Sequence, residues 1–142
     1  MQTAKYISKA GKISWYLIIV LLITLYGCIS DPKISEMEDT LRAYERAIRW
    51  SDFQLVPGFR SPEKAKEELD FDKLKSIKVT GYATQQRLVS DTGVEASQIV
   101  EIRFYDENVG REKVVIDRQK WTYDNAVDHW VLVSELPSLF YP

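Results

Sequence analysis

The segment EASQIVEIRFYDENVGREKVVIDRQKWTYD, residues 95–124, contains the pattern that decides the fold. Apolar and polar side chains alternate along 95–106, which is typical of a strand with one buried face. A second extended run follows at 111–124, after the residues ENVG at 107–110, whose composition favours a turn. The apolar positions on one face of the first run are Val100, Ile102 and Phe104. The segment therefore predicts an antiparallel pair of long strands.

The same pattern extends on both sides of this pair. SIKVTGYATQQRLV at 76–89 predicts a preceding strand, in which Gly81 permits a bend or a bulge. HWVLVSEL at 129–136 predicts a final strand. The connecting residues SDTG (90–93) and DNAVD (124–128) are typical of turns. Four long strands joined by short turns predict an antiparallel meander.

Two helices are predicted before the sheet. Ser35 with Glu38 three residues later forms a capping-box pattern, and an apolar stripe at helical spacing follows. The stripe consists of Met37, Leu41, Tyr44 and Ile48. We interpret it as a core-facing side, the alternative being a surface for a partner helix. After a break at Pro57-Gly58, Ser61-Pro62-Glu63 predicts a second, short and highly charged helix that ends near Leu69 or Asp70. The fold class is therefore α+β: N-terminal helices packed on a curved four-stranded antiparallel meander.

The length and charge of the chain exclude some classes of function. Its 142 residues suit one domain. Residues 1–27 hold three lysines and no acid, so the overall formal charge of −2 leaves the remaining residues at −5. An acidic domain without a basic patch repels phosphate backbones, so nucleic acid is not an expected partner.

The N-terminus has the order of an export signal. A basic segment, MQTAKYISKAGK, precedes an uncharged apolar run at 13–27, and the only cysteine, Cys28, follows. This run is short for a permanent span, which needs about 20 residues, and suits a signal peptide. The alternative is an uncleaved signal anchor of the inner membrane, with Trp15 and Tyr16 at the interface and Cys28 incidental.

Leu25-Tyr26-Gly27-Cys28 resembles the lipobox of bacterial lipoprotein precursors. The resemblance implies cleavage between Gly27 and Cys28 and attachment of acyl chains, such as palmitate, to Cys28. The expected organisation is then a signal peptide helix at 1–27, a tether at 28–34 and a domain at 35–142. Because Ile29 and not an aspartate follows the cysteine, the resemblance also implies the periplasmic face of the outer membrane.

The passages LRAYERAIRWSDF, KVTGYA, DRQKWTYD and HWVLVS resemble the first helix and successive strands of the nuclear transport factor 2-like superfamily, which includes ketosteroid isomerases. The resemblance covers residues 35–136 and implies a cone in which helices cover the concave side of the sheet. A lipocalin-like barrel is the competing interpretation, but it requires about eight strands and the chain offers four.

Few residues suggest catalysis. His129 is the only histidine, and the adjacent Asp128 would point to the opposite face of a strand, so we expect an exposed turn histidine. No spacing typical of a metal site occurs, and no cofactor is expected.

The better candidate is a polar stripe that would become one ligand-binding or docking surface if the two central strands align their faces. The alternative is the ordinary solvated side of a half-buried sheet. Its members are Glu101, Arg103 and Tyr105 on the second strand and Asp117, Gln119, Trp121 and Tyr123 on the third.

Two hypotheses about function follow. The favoured one is a non-enzymatic, membrane-anchored module of the cell envelope that binds another envelope protein or a second copy of itself. The other is a small-molecule binder, or an enzyme of the isomerase or dehydratase type, that uses the interior of the cone. The second requires an enclosed cavity with a buried carboxylate or tyrosine, and a core filled by aromatic side chains would count against it.

Overall fold

A long helix precedes a four-stranded antiparallel sheet in the computed structural model, which describes residues 31–141. The helices are α1 (Pro32–Arg49) and α2 (Phe71–Leu74), and the strands are β1 (Ile77–Val89), β2 (Glu95–Asp106), β3 (Arg111–Asp124) and β4 (His129–Leu132). Short 3₁₀ turns occupy Phe53–Phe59, Lys64–Lys66 and Ser138–Phe140. The predicted α+β class is confirmed. No helix within residues 31–141 has both the length and the apolar character needed to cross a membrane. The predicted signal peptide and Cys28 lie outside the described residues.

Helix α1 begins three residues earlier than predicted. Pro32 is its first residue. Proline is tolerated there because the N–H of the first helical residue has no partner within the helix. Ser35 therefore lies inside the helix, and the predicted capping box is wrong; the predicted tether also loses its last three residues to α1. The buried face is as expected, since it contains Met37, Leu41, Tyr44, Ala47 and Ile48.

The predicted second helix does not form over residues 61–70. Only the 3₁₀ turn Lys64–Lys66 lies there, because this charged run has no buried side chain in that turn to hold a longer helix against the core. Pro57 lies inside the preceding 3₁₀ turn. Helix α2 begins instead at Phe71, where the Asp70 carboxylate accepts a hydrogen bond from the Lys73 backbone N–H at 3.1 Å.

The sheet is the predicted meander, with strand order β1-β2-β3-β4 and antiparallel neighbours throughout. The β1–β2 register shifts between Val79 and Gly81, which confirms the irregularity predicted at the glycine, and shifts again between Thr84 and Gln86. Strand β4 ends at Leu132, earlier than predicted. The chain beyond it leaves the sheet and buries Leu136, Leu139 and Phe140.

The core lies between the concave face of the sheet and α1, and aromatic rings dominate it. Tyr44 of α1 meets Trp121 of β3 edge to face, with 5.3 Å between ring centroids, and meets Phe59 in the same manner at 5.5 Å. Phe53 and Phe140 form a third such pair at 5.2 Å. These contacts join α1, the 3₁₀ turn after it and the C-terminal segment to one side of the sheet.

Candidate functional site

The seven residues of the predicted polar stripe do not share one surface. In the β2–β3 register, Glu101 pairs with Ile116 and Arg103 pairs with Val114, whereas Asp117 pairs with Val100. Directly paired residues lie on the same face of a sheet. Successive side chains of a strand point to opposite faces of the sheet. Because the observed β2–β3 register differs by one residue from the register that would align the stripe, its two halves lie on opposite faces. Glu101, Arg103 and Tyr105 face outward, while Asp117, Gln119, Trp121 and Tyr123 face the core.

The inward half forms part of a buried hydrogen-bond network centred on Gln119. The amide nitrogen of Gln119 donates to Asp117 at 2.6 Å and to the Tyr82 hydroxyl at 3.1 Å. Its carbonyl oxygen accepts from the Gln98 amide at 2.6 Å and from the Trp121 indole N–H at 3.1 Å. We call Tyr82, Gln98, Asp117 and Gln119 the inner cluster. The side chain of Gln119 uses both of its polar atoms, as a buried amide must if it is not to destabilise the core.

Asp117 carries the buried carboxylate of the inner cluster. The residue is only 2% exposed, and this burial raises its pKa to about 6, although the hydrogen bond from Gln119 opposes the shift. Burial also raises the pKa of the Tyr82 and Tyr44 hydroxyls, and the charge of Asp117 adds to both shifts. The Tyr44 hydroxyl has no hydrogen-bond partner within residues 31–141.

Most of these polar groups are packed against other side chains within residues 31–141. Gln98, Asp117, Gln119, Tyr44 and Trp121 are all buried, so their surfaces are covered by other protein atoms. The concave side of the sheet is thus filled with side chains at this point. Within residues 31–141 the hydrogen bonds of the inner cluster therefore form a packed polar network.

The remaining predicted polar positions lie apart from the inner cluster. The Tyr123 hydroxyl donates to Asp128 at 2.6 Å, which raises the pKa of Tyr123 to about 12, and the ammonium of Lys33 lies 4.3 Å from the Tyr123 ring centroid. His129 is exposed at the start of β4, with its Nδ1 2.8 Å from the carbonyl oxygen of Val127, as expected for a turn histidine. Within residues 31–141 no group of His, Cys, Asp and Glu side chains has the arrangement of a metal site.

The outward half of the stripe belongs to a partly apolar surface. The Arg103 Nε lies 3.1 Å from the Glu101 carboxylate on the outer face of β2. Beside this pair on β3, Val114 is 58% exposed and Ile116 is 46% exposed. We call Ile99, Glu101, Arg103, Val114 and Ile116 the outer patch. Sequence reasoning missed its apolar members, although the run VVI at 114–116 places apolar residues on both faces of β3 and so could have indicated them.

Two solved structures have a fold similar to this chain. One is a putative Ca/calmodulin-dependent kinase II association domain from Exiguobacterium sibiricum, with a TM-score of 0.56, 12% identity and coverage of 75% of this chain and 92% of the other. The second is a SEC-C motif containing protein from Rhodopseudomonas palustris, with a TM-score of 0.54, 16% identity and coverage of 72% and 78% respectively. No protein-family model and no curated protein matches the sequence. At these identities the likeness shows the fold alone, an α+β fold in which a helix precedes an antiparallel sheet.

Proposed function

We propose that the protein is a non-catalytic association module of the cell envelope, held at the membrane by a lipid on Cys28, and that two copies bind each other through the outer patch. The observation that carries the proposal is the exposure of Val114 and Ile116 side by side with the Glu101–Arg103 pair. An exposed apolar group rimmed by charges is typical of a protein-binding surface. The similar structure from Exiguobacterium sibiricum is described as an association domain, and its similar fold supports the same function for this chain.

The outer face of the sheet has the dimensions of a protein interface. Strands β1, β2 and β3 contain 13, 12 and 14 residues. With a rise of about 3.3 Å per residue and a strand spacing of about 4.8 Å, they span a flat area of roughly 600 Å². A standard interface buries about 800 Å² on each partner, so this face supplies most of the required area.

The charges of the outer patch suit a twofold contact. Glu101 and Arg103 flank Ile102 on β2 and point to the same side of the sheet. A twofold axis that lies between the two sheets, parallel to them and perpendicular to β2 beside Ile102, would place Arg103 of one copy over Glu101 of the second copy, and the reverse. An isologous contact requires this kind of self-complementarity.

Attachment to the membrane is supported by the sequence around Cys28. The lipobox-like residues 25–28 follow a basic segment and an apolar run, in the order of a lipoprotein precursor. Anchoring of both copies in one bilayer would raise their effective concentration and strengthen an association that the outer patch already supports in solution.

The alternative, an isomerase or dehydratase that uses the cone, is supported by one feature, the raised pKa of Asp117. A substrate would have to reach this carboxylate, however, and Asp117 is itself buried and hydrogen-bonded to the buried Gln119. Conversion of a small ketone or alcohol therefore requires the interior to open. The filled interior is the reason that we favour a binding function over a catalytic one.

Sedimentation equilibrium on the chain from residue 28 onward, with Cys28 replaced by serine, tests the association. Val114→Lys should weaken dimerisation at least tenfold, because it places a charge in the apolar centre of the contact. Val109→Lys is the matched control, since Val109 is also 58% exposed but lies in the turn after β2, outside the outer patch. A monomeric wild-type protein, or equal effects of the two substitutions, would refute the proposed contact.

The anchor has a separate test. Cys28→Ala in the full chain should abolish labelling by a fatty-acid analogue and leave a longer, unprocessed precursor. Gln2→Ala, which leaves the lipobox-like residues intact, serves as the control. Labelling that persists in Cys28→Ala would contradict the anchor while leaving the proposed contact between copies untouched.

A further inference from the structure

We infer that the C-terminal end of the exposed face of α1 lies against the anionic phospholipid headgroups of the membrane to which the chain is attached. We call Arg42, Arg46, Arg49 and Trp50 the helix-end patch. The inference rests on the proposed membrane attachment and adds a second contact, which would fix the orientation of the domain on the bilayer. It concerns a surface different from the outer patch.

Trp50 is the clearest sign of this contact. It is 81% exposed, the highest value for a large apolar side chain in the described part of the protein, while Trp121 and Trp130 are each 1% exposed. Leaving an indole in water forgoes the large gain from its burial, and indoles are enriched where one side meets an apolar phase and the other meets water. Such a side chain is suited to the interfacial region of a bilayer.

The local backbone holds Trp50 in this exposed position. The Trp50 N–H donates to the Arg46 carbonyl at 3.0 Å, which continues the helical spacing and places Trp50 one turn beyond Arg46 on the same side of α1. Ser51 then adopts a positive φ of 55°, and its hydroxyl accepts from the Val79 N–H at 3.0 Å, so the chain is tied to β1 directly after the tryptophan. The exposure of Trp50 is thus built into the turn.

The charge of the helix-end patch complements an anionic surface. Arg42 and Arg49 have side chains 58% and 57% exposed, and they pair with Asp39 and Glu45 of their own helix. Such exposed ion pairs contribute little to the stability of the fold, so the guanidinium groups can exchange them for contacts with headgroups. Arg46 forms no ion pair within residues 31–141. A guanidinium group can also bind a phosphate through two hydrogen bonds, which an ammonium group cannot do in the same geometry.

The short segment between Cys28 and α1 limits how the helix-end patch could contact the bilayer. Four peptide units separate Cys28 from Pro32, so the first turn of α1 lies at most about 14 Å from the anchored residue. The 18 residues of α1 span about 27 Å. Trp50 at the far end can therefore touch the bilayer only if α1 lies along its surface. Each arginine near an anionic membrane contributes about 1 kcal/mol to such an arrangement.

Tryptophan fluorescence of the full chain in vesicles tests the inference. Trp15→Phe removes the indole of the N-terminal segment, and the burial of Trp121 and Trp130 leaves Trp50 as the indole that a soluble quencher reaches. The chain is reconstituted into phosphatidylcholine vesicles and into vesicles that also contain phosphatidylglycerol. We expect the acrylamide quenching constant of Trp50 to fall severalfold when phosphatidylglycerol is present, and brominated lipids to quench it there.

Charge variants separate headgroup binding from other causes of shielding. Arg46→Gln should shift the ratio of membrane-bound to free Trp50 about fivefold toward the free form, the equivalent of about 1 kcal/mol. Arg111→Gln removes an exposed arginine at the start of β3 and should have no effect. High salt should restore quenching in the phosphatidylglycerol vesicles, because the attraction is screened.

Three outcomes would overturn the inference. The first is equal accessibility of Trp50 in both kinds of vesicle. The second is shielding that follows protein density and not phosphatidylglycerol content, which would assign the patch to a protein partner. The third is an equal effect of Arg46→Gln and Arg111→Gln. Failure of the proposed lipid anchor is recognised separately, because the fatty-acid labelling of Cys28→Ala does not depend on the accessibility of Trp50.

Discussion

Replacement of Asp117 by asparagine should stabilise the protein at neutral pH. In the fold, burial raises the pKa of this carboxyl group to about 6, whereas an unfolded aspartate titrates near 3.9. The difference of about two pKa units corresponds to about 3 kcal/mol. Asparagine has nearly the same shape, stays neutral and retains an oxygen that can accept the hydrogen bond from Gln119.

The sign of the pH dependence follows from the direction of the shift. Between about pH 4 and pH 6 the folded protein binds a proton at Asp117 that the unfolded chain has released. The contribution of this proton to the free energy of unfolding is therefore fully present below pH 4 and is lost as the pH rises through about 6. Above pH 7 the wild-type fold contains a buried charge, and the free energy of unfolding is lower by most of the 3 kcal/mol. In Asp117→Asn this pH-dependent loss should disappear.

Urea unfolding from pH 4 to pH 7.5, followed by tryptophan fluorescence, measures this effect on the chain from residue 28 onward. The difference between variant and wild type isolates Asp117, because Glu67, Asp70 and Asp106, whose pKa values are lowered in the fold, contribute equally to both proteins. Asp91→Asn, in the exposed turn before β2, controls for the change in net charge. If the difference in unfolding free energy did not change with pH, or if Asp117→Asn were the less stable protein at pH 7, the account of the inner cluster would be wrong.

Three further substitutions test the packing. Trp121→Ala should lower the free energy of unfolding by about 3–5 kcal/mol, because it empties the space beside Tyr44; a loss below 1 kcal/mol in urea unfolding would contradict the filled interior. Gly110→Ala should destabilise by about 1–2 kcal/mol because φ is +65° there, whereas Gly58→Ala, which also has open space for a Cβ but no positive φ, should not; equal melting temperatures of the two variants would argue against the turn geometry. Arg60→Met should change stability by less than about 1 kcal/mol, because the 2.7 Å bond to Glu67 and the 3.9 Å ion pair with Glu135 are lost together with two buried nitrogens, Nε and Nη2, that have no hydrogen-bond partner within residues 31–141; a much larger loss in urea unfolding would show that those nitrogens are satisfied.

The sheet was predictable because its pattern is local. The alternation in 95–106 and the turn residues at 107–110 fix β2 and the start of β3, and their bounds agree with the structure. The buried stripe of α1 was predictable for the same reason. The capping box at Ser35 was not, because Pro32 offers an equally good start three residues earlier. The charged run at 61–70 resembles a helix by composition, but of its residues only Leu69 joins the hydrophobic core, and the turn Lys64–Lys66 has no buried side chain.

The candidate site was predictable as a set of residues but not as a surface. The β2–β3 register decides whether each side chain of the stripe lies on the outer or the inner face of the sheet, and a register shift of one residue moves it to the opposite face. The turn at 107–110 restricts this register, but the composition of the turn alone does not predict it. The exposure of Trp50 was also not predictable from the sequence, because it depends on how the chain turns after α1. Its position depends on the positive φ of Ser51 and on the contact of Ser51 with Val79.

The contact between two copies through the outer patch is tested most directly by a distance measured across it. Ala83 is exposed on the outer face of β1, in the same row as Glu101 and Ile116, and a spin label on Ala83→Cys in a Cys28→Ser background reports on this face. Two sheets packed face to face lie about 10 Å apart, so pulsed electron paramagnetic resonance should give a short intermolecular distance, below about 30 Å with the label arms included. A label on Gln54→Cys, in the 3₁₀ turn after α1, should give no such distance. A short distance from Gln54 and none from Ala83, or no intermolecular signal at either position, would contradict the proposed association.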